Sequence, residues 1–222
     1  MGALGRAGKQ DMVEKEAKEV AAILLERRAV IVNTESPFTF ASGITSPIYC
    51  DLRQLCAYPL ERERITELLA ARISETAAEV VAGVATAGIP WAAWASSRLG
   101  KSMAYVRDTA KGHGRGRQVE GVIEQGSSVV LVEDLTSTGG SALRAIEGIR
   151  EAGAEITRSY SIFSYEFEKA KEAYRDANVE LVTLCGVSNL LGLAVSQKLI
   201  EPSQEAAVRS WLASDPMSQT DS

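Results

Sequence analysis

The sequence predicts an α/β protein with a mostly parallel central sheet flanked by helices, and three observations carry that prediction. From residue 80 onward, apolar runs rich in β-branched or aromatic residues (VVAGVA, VVLV, SYSIFSY, VELVTLCG) alternate with segments of helical periodicity. Alternation of that kind builds parallel strands with helices packed on both faces. The run Val129–Val132 is apolar without interruption, as a strand covered on two sides must be. At 222 residues and 45% apolar content, the chain can bury one substantial core, so a single domain is expected over residues 11–213.

Taken in order, residues 11–28 carry a helical pattern with apolar positions at Val13, Val20, Leu24 and Leu25. Short extended pieces follow at Ala29–Asn33, Phe38–Ala41 and Pro47–Leu52, separated by turn residues such as Ser42 and Gly43. Pro59 opens a second helix whose apolar face includes Ile65, Leu68, Leu69 and Ile73. The strand at 80–85 leads into a helix over Ile89–Leu99, and the strand MAYVR at 103–107 leads into a glycine-rich loop. The strand at 129–132 is followed by a helix with Leu143, Ile146 and Ile149 on one face. SYSIFSY, a helix near 166–176, VELVTLCG and closing helices complete the order. Residues 1–10 and 214–222 read as flexible tails.

Composition removes several classes. A net charge of −5 argues against a general nucleic-acid binder. Cys50, Cys56 and Cys185 are odd in number and form no C-x-x-C pair, which suits reduced thiols in a cytoplasm better than disulfides or a zinc site. No apolar stretch approaches the roughly 18 residues of a membrane span, and MGALGRAGKQ has no apolar segment of a signal peptide. A cytoplasmic protein without a membrane partner is expected.

The stretch Val129–Ala154 carries most of the chemistry. The strand Val129–Val132 is ended by two carboxylates, Glu133 and Asp134, and Thr136-Ser137-Thr138-Gly139-Gly140-Ser141 then opens a helix. Free backbone N–H groups and the positive end of the helix dipole make such a turn an anion site. Neither a G-x-x-x-x-G-K-[ST] loop nor a G-x-G-x-x-G turn is present, so the anion is not held as in nucleotide triphosphatases or dinucleotide enzymes. Two readings fit: an ordinary turn with capping hydroxyls and solvated acids, or a sugar-phosphate site in which the acids take ribose hydroxyls and residues 136–141 take a monophosphate.

Two further loops bear on this choice. Thr86-Ala87-Gly88-Ile89-Pro90 follows a strand and is either an ordinary strand-to-helix turn or a second anion cradle. The segment RDTAKGHGRGRQ, residues 107–118, sets Arg107, Lys111, Arg115 and Arg117 against Asp108 alone, with Gly112, Gly114 and Gly116 between them and the chain's single histidine, His113. It reads as a solvated loop or as a lid closing over a polyanion.

Together these pieces resemble the type I phosphoribosyltransferase family. VEDLTSTGGS (132–141) is similar to its binding motif for 5-phospho-α-D-ribose 1-diphosphate (PRPP). FTFASGITSPIYCD, TAGIP and YVRDTAKGHGRGRQVEG resemble the orotate branch in particular, in the right order over about residues 15–195. The resemblance implies the type I fold with a small N-terminal hood (about 11–58) on a core (about 59–200). It implies orotate + PRPP → orotidine 5′-monophosphate + diphosphate, a magnesium-dependent step of pyrimidine nucleotide synthesis, and a homodimer with shared active sites.

Carried over by position, the resemblance gives Glu133 and Asp134 the ribose hydroxyls and Leu135 a place beside them in the PRPP set. Thr136, Ser137, Thr138, Gly139, Gly140 and Ser141 match the 5′-phosphate loop, with Ser137 also touching orotate. Ala87 and Gly88 match the diphosphate loop. Arg107, Lys111 and His113 match lid residues that act in catalysis, usually across the dimer, together with Asp134. No residue is matched as a metal ligand. Some members have lysine where Ala41 and Ala87 stand here, a second cation at Asp108, and a base-contacting arginine near Tyr165 and Glu166; the wording of the motifs matches a branch lacking these. The backbone of Ser42–Ile48 and the side chain of Arg53 are candidates for the orotate carboxylate, Arg53 being equally well placed for a structural ion pair. Transfer to another base and a non-catalytic PRPP sensor remain as alternatives on the same fold. The segment 34–53 counts against the first and the lid against the second.

Overall fold

The computed structural model describes residues 3–39, 43–108, 118–214 and 216, with side chains from residue 8 onward. Helix α1 (Ala3–Glu26) buries Ala17, Val20, Ala21 and Leu24, the i, i+3, i+4, i+7 stripe of a helix facing a core. It begins eight residues before the expected start. Residues 3–10, expected as a tail, are helical, and Lys9 reaches Glu75 at 2.8 Å.

The hood consists of two small antiparallel pairs. Strand β1 (Val30–Val32) pairs with β4 (Ile48–Cys50), and β2 (Phe38–Thr39) pairs with β3 (Thr45–Ser46). A 3-10 helix over Leu52–Ala57 follows, started by the Asp51 side chain accepting from the Arg53 N–H. Pro59 at the first position of helix α2 (Pro59–Ser74) marks its start as expected, and Ile65, Leu68, Leu69 and Ile73 are buried.

The core alternates from there: β5 (Val80–Val84), α3 (Gly88–Leu99), β6 (Ser102–Val106), β7 (Val119–Glu120), β8 (Ser128–Thr136), α4 (Gly140–Glu151), β9 (Glu155–Ser164), α5 (Glu168–Asp176), β10 (Glu180–Gly186), α6 (Val187–Ser196) and α7 (Pro202–Ala213). Six strands form one sheet in the order β10-β9-β8-β5-β6-β7, parallel except for β7, an antiparallel edge strand that sequence patterning does not reveal. A right-handed crossover is the rule for each parallel connection. Side chains alternate between the faces along each strand. Val81, Val130 and Val132 join the layer of α1, α2, α3 and α6, whereas Val80, Ala82, Val84, Val129 and Leu131 join the layer of α4 and α5. Both faces are therefore covered, as the uninterrupted apolar runs require. Among the described residues no helix is long and apolar enough to cross a membrane.

Strand β8 differs from expectation in its length. It continues through Glu133 and Asp134 to Thr136, with Glu133 paired to Ser161 and Thr136 to Ser164 of β9. The acids sit inside the ladder because pairing with a long neighbour outweighs the poor strand propensity of carboxylates.

Two glycines set how closely α3 approaches the sheet. A Cβ on Gly83 would lie 2.9 Å from the Gly88 carbonyl oxygen, 2.9 Å from Ile89 Cα and 3.0 Å from Ala92 Cβ, and one on Gly88 would overlap the Val132 carbonyl oxygen. Gly83→Ala is expected to lower stability by about 1–3 kcal/mol, read as a lower urea midpoint. Gly192→Ala, on α6 where an added Cβ meets nothing within 4 Å, is expected to raise stability by up to about 1 kcal/mol. Equal shifts in the two variants would show that the α3 contact has slack.

Candidate active site

Parallel strands bring their carboxyl ends, and the turns that follow them, to one edge of the sheet. Gly88 touches β8 at Val132 and Glu133, so the turn Thr86–Gly88 lies directly beside the acids. The Ala85–Thr86 peptide is cis. Tyr165 N–H donates to the Thr136 carbonyl at 3.1 Å, and Arg107 N–H to the Gln118 carbonyl at 3.0 Å. The edge thus gathers Ala87, Gly88, Arg107, Glu133, Asp134 and the loop 136–141. Lys111, His113, Arg115, Arg117, Ala41 and Ser42 lie outside the described residues, and with them the expected lid.

The acids do not act as one solvated pair. Adjacent residues of a strand point to opposite faces, and their surroundings show it. Glu133 is 8% exposed and accepts from Thr136 Oγ1 at 3.4 Å, with Arg144 and Tyr174 among its electrostatic neighbours. Asp134 faces the hood, where Arg53 and Asp51 act on it. Burial first, and then the charge of Asp134, push the Glu133 carboxyl up to about 8. Burial also raises Asp134, opposed by N–H groups of Asp134 and Leu135 and by the Arg53 cation. Both carboxyls thus stand desolvated at the mouth of the sheet, which a ligand's hydroxyls or a cation would relieve.

The turn after β8 bears on the two readings of the sequence. Gly139 is the N-cap residue of α4, at φ +84°, and no side chain caps the helix. The hydroxyls expected as caps do not serve as caps. Ser137 Oγ is buried without a hydrogen-bond partner among the described residues, a group that calls for an acceptor or donor from outside the chain. Ala87 heads α3, likewise without a side-chain cap. Two uncapped helix N-termini and an orphaned hydroxyl are what an anion site needs. Gly139 is required twice over: its backbone is left-handed, and an added Cβ would sit 3.1 Å from Tyr174 Cε2.

The remaining candidates are placed as follows. Leu135 turns its side chain against the core, leaving only backbone to a ligand, so its expected place among the PRPP contacts is narrowed to the main chain. Thr136 is fully buried and belongs to the strand rather than to the loop. Arg53 forms the structural ion pair: Nε lies 2.7 Å from Asp51 Oδ1 and Nη2 3.1 Å from Oδ2. It remains 70% exposed and free to exchange partners. Arg107 rests 3.5 Å from Glu120.

Tertiary structure adds residues that no motif marks. Arg144 of α4 holds Asp108 at 2.6 Å and Ser141 Oγ at 3.3 Å. Burial pushes the Cys50 thiol up to about 12, with Tyr165 as its hydrogen-bond partner and Asp134 near, so it stays neutral and unreactive. Trp211 of α7 donates Nε1–H to the Thr45 carbonyl at 2.8 Å and packs on Tyr165 and Phe167, tying the hood to the core from the far end of the chain. Among the described residues no group of three or more His, Cys, Asp or Glu side chains could hold a metal by itself.

The family described as a phosphoribosyl transferase domain matches residues 53–186. An orotate phosphoribosyltransferase of Listeria innocua is 46% identical over 196 residues, 87% of this chain and 94% of that protein. One from Enterococcus faecalis is 46% identical over 199 residues, 89% and 95% of the two chains. Among solved structures, orotate phosphoribosyltransferase from Aeropyrum pernix aligns with a TM-score of 0.71 and 31% identity over 82% of this chain and 99% of that one. Leishmania donovani UMP synthase aligns with a TM-score of 0.75 and 28% identity over 89% of this chain, which spans 42% of that longer protein.

The buried acid sets a pH dependence. Glu133 titrates near 8 when folded and near its ordinary 4.5 when unfolded, so between those values the unfolded chain binds fewer protons and stability falls as pH rises. The ligand-free protein is expected to melt lower at pH 8 than at pH 5.5. Glu133→Gln should flatten that slope and stabilise the ligand-free form at pH 8 by about 1–4 kcal/mol, measured by thermal unfolding across the range. An unchanged slope would remove Glu133 as its cause.

Proposed function

The chain belongs to the orotate phosphoribosyltransferase family, and on that premise we propose how its own residues carry out the transfer of the phosphoribosyl group of PRPP to orotate in pyrimidine synthesis. The observation that carries the proposal is the desolvated pair Glu133 and Asp134 between two uncapped helix N-termini, with Ser137 Oγ unpartnered beside them.

Ser137 to Ser141 and the first N–H groups of α4 hold the 5′-phosphate. Ala87 and Gly88 at the head of α3 hold the diphosphate, and Gly88 does so because a side chain there would not fit against Val132. Glu133 and Asp134 accept from the ribose hydroxyls, one from each side of β8. As the bond from C1 to the diphosphate breaks, positive charge grows on the ribose, and fixed carboxylates favour it. Arg107, Lys111 and His113 meet the negative charge that grows on the departing diphosphate, Lys111 and His113 from the partner subunit of a homodimer. The base lies under the hood between Gly43–Ile48 and Asp134, where Arg53 is positioned to exchange Asp51 for the orotate carboxylate.

Magnesium fits this donor set. Mg²⁺ takes one or two protein carboxylates plus substrate phosphates rather than an all-protein cage, and the site offers two carboxylates and no larger acidic cluster among the described residues. Because the Glu133 and Asp134 side chains face apart, one of these carboxylates rather than both would hold the ion together with the phosphates of PRPP, and it would neutralise charge on the diphosphate. The free thiols of Cys50, Cys56 and Cys185 fit a reducing cytoplasm.

The reaction is read directly as loss of orotate absorbance with PRPP and Mg²⁺. It is expected to stop on chelation of the metal and to show no turnover with adenine, guanine, hypoxanthine or uracil; turnover of a purine instead would overturn the assignment. Asp134→Asn should lower kcat/KM about ten- to a hundred-fold, the loss of a charge-assisted contact, without lowering the melting temperature.

Sharing of the site is tested by subunit exchange. Lys111→Ala and Asp134→Ala homodimers should each be nearly inactive. After mixing, about half the dimers are mixed and each has one intact site, so activity should return to about a quarter of the unmodified protein. No recovery despite exchange would place Lys111 in its own subunit's site.

A further inference from the structure

The phosphate loop 137–141 contains no cation of its own, yet one lies across it. Arg144 stands four residues beyond Gly140 on α4, and side chains at that spacing share a helix face and lean toward the N-terminus. A Cβ added to Gly140 would sit 3.3 Å from Arg144 Nη1, and Nη2 lies 3.3 Å from Ser141 Oγ. The guanidinium therefore rests over the first turn of α4, beside N–H groups that no side chain caps. Its partner there is Asp108, 2.6 Å away and just past the end of β6, in a pair whose side chains are 48% and 55% exposed. Such a pair contributes little in water, and a phosphate dianion offers a guanidinium fork a stronger, two-point partner. The unpartnered, buried Ser137 Oγ is a second, independent sign that the loop awaits a ligand.

We propose that Arg144 binds the 5′-phosphate of PRPP, and that Asp108 is the carboxylate it leaves to do so. The inference rests on the reading of 137–141 as the phosphate loop. Asp108 then acts as an internal competitor: it occupies Arg144 while the loop is empty, and its charge opposes the incoming phosphate. This gives a role to a position where some family members carry a cation.

Ribose 5-phosphate titrated by calorimetry isolates this subsite from the diphosphate and from the base. Arg144→Gln should weaken ribose 5-phosphate and PRPP by the same factor, about ten-fold, and leave inorganic diphosphate binding, the KM for orotate and the melting temperature unchanged. Arg144→Lys should lose less, since it keeps the charge but not the fork. Asp108→Asn should tighten ribose 5-phosphate about three-fold by removing the competitor, and in the Arg144→Gln background the gain should be smaller, since only the direct repulsion of the phosphate is then removed. Unchanged ribose 5-phosphate binding in Arg144→Gln, or weaker binding in Asp108→Asn, overturns the inference while leaving orotate turnover intact. Absence of orotate turnover in the unmodified protein would strike the base assignment instead, and the ribose 5-phosphate titration still reads Arg144.

Discussion

Burial of two carboxyl groups near the end of β8 is the constraint around which the rest is arranged. Strand β8 lies inside the sheet, between β9 and β5, so whatever projects from its last residues is covered by helices on one face and by the hood on the other. A carboxylate in that position is destabilising unless something outside the chain completes it. The protein keeps the acids there, and in the ligand-free chain burial holds the Glu133 carboxyl up at about 8. The conflict between local chemistry and folding stability is located at the site, where violations of the rules for a well-packed core are most often found.

The hood depends on the same strand. Asp134 meets Asp51 and Arg53, Cys50 meets Tyr165, and Trp211 fastens Thr45 from the last helix. Residues distant in the chain thus close one face over Asp134, while α4 and α5 close the other over Glu133, with the Tyr174 ring filling the space a side chain on Gly139 would need. The floor of the site is rigid sheet and its walls are short elements held by a few side chains, so the walls can adjust to a ligand with little disturbance of the core.

The cations around the edge share a pattern. Arg53 rests on Asp51, Arg107 on Glu120 and Arg144 on Asp108, each pair at least partly exposed. Exposed ion pairs contribute little free energy, so each cation is kept in place without being strongly bound. An overall charge of −5 does not hinder a polyanionic substrate when the local cations are grouped at one edge.

The sequence by itself determined the fold class, because uninterrupted apolar strands alternating with amphipathic helices have few other solutions. It also determined the family, through VEDLTSTGGS and the three motifs matched with it, and the start of α2, through Pro59. These signals are local: each is written in consecutive residues. Only the tertiary structure decided the rest. That β8 runs past its acids depends on pairing with β9, that the acids face apart follows from the strand's pleat, and that Arg53 holds Asp51 depends on the 3-10 turn. Helix α1 starts at Ala3, ahead of the apolar stripe that marks it in the sequence, and β7 is too short to show a period. Arg144, Tyr174 and Trp211 reach the site through contacts with Asp108, Gly139 and Thr45. Periodicity and motif spacing record neighbours along the chain, whereas these contacts exist only once the sheet has brought its carboxyl ends together.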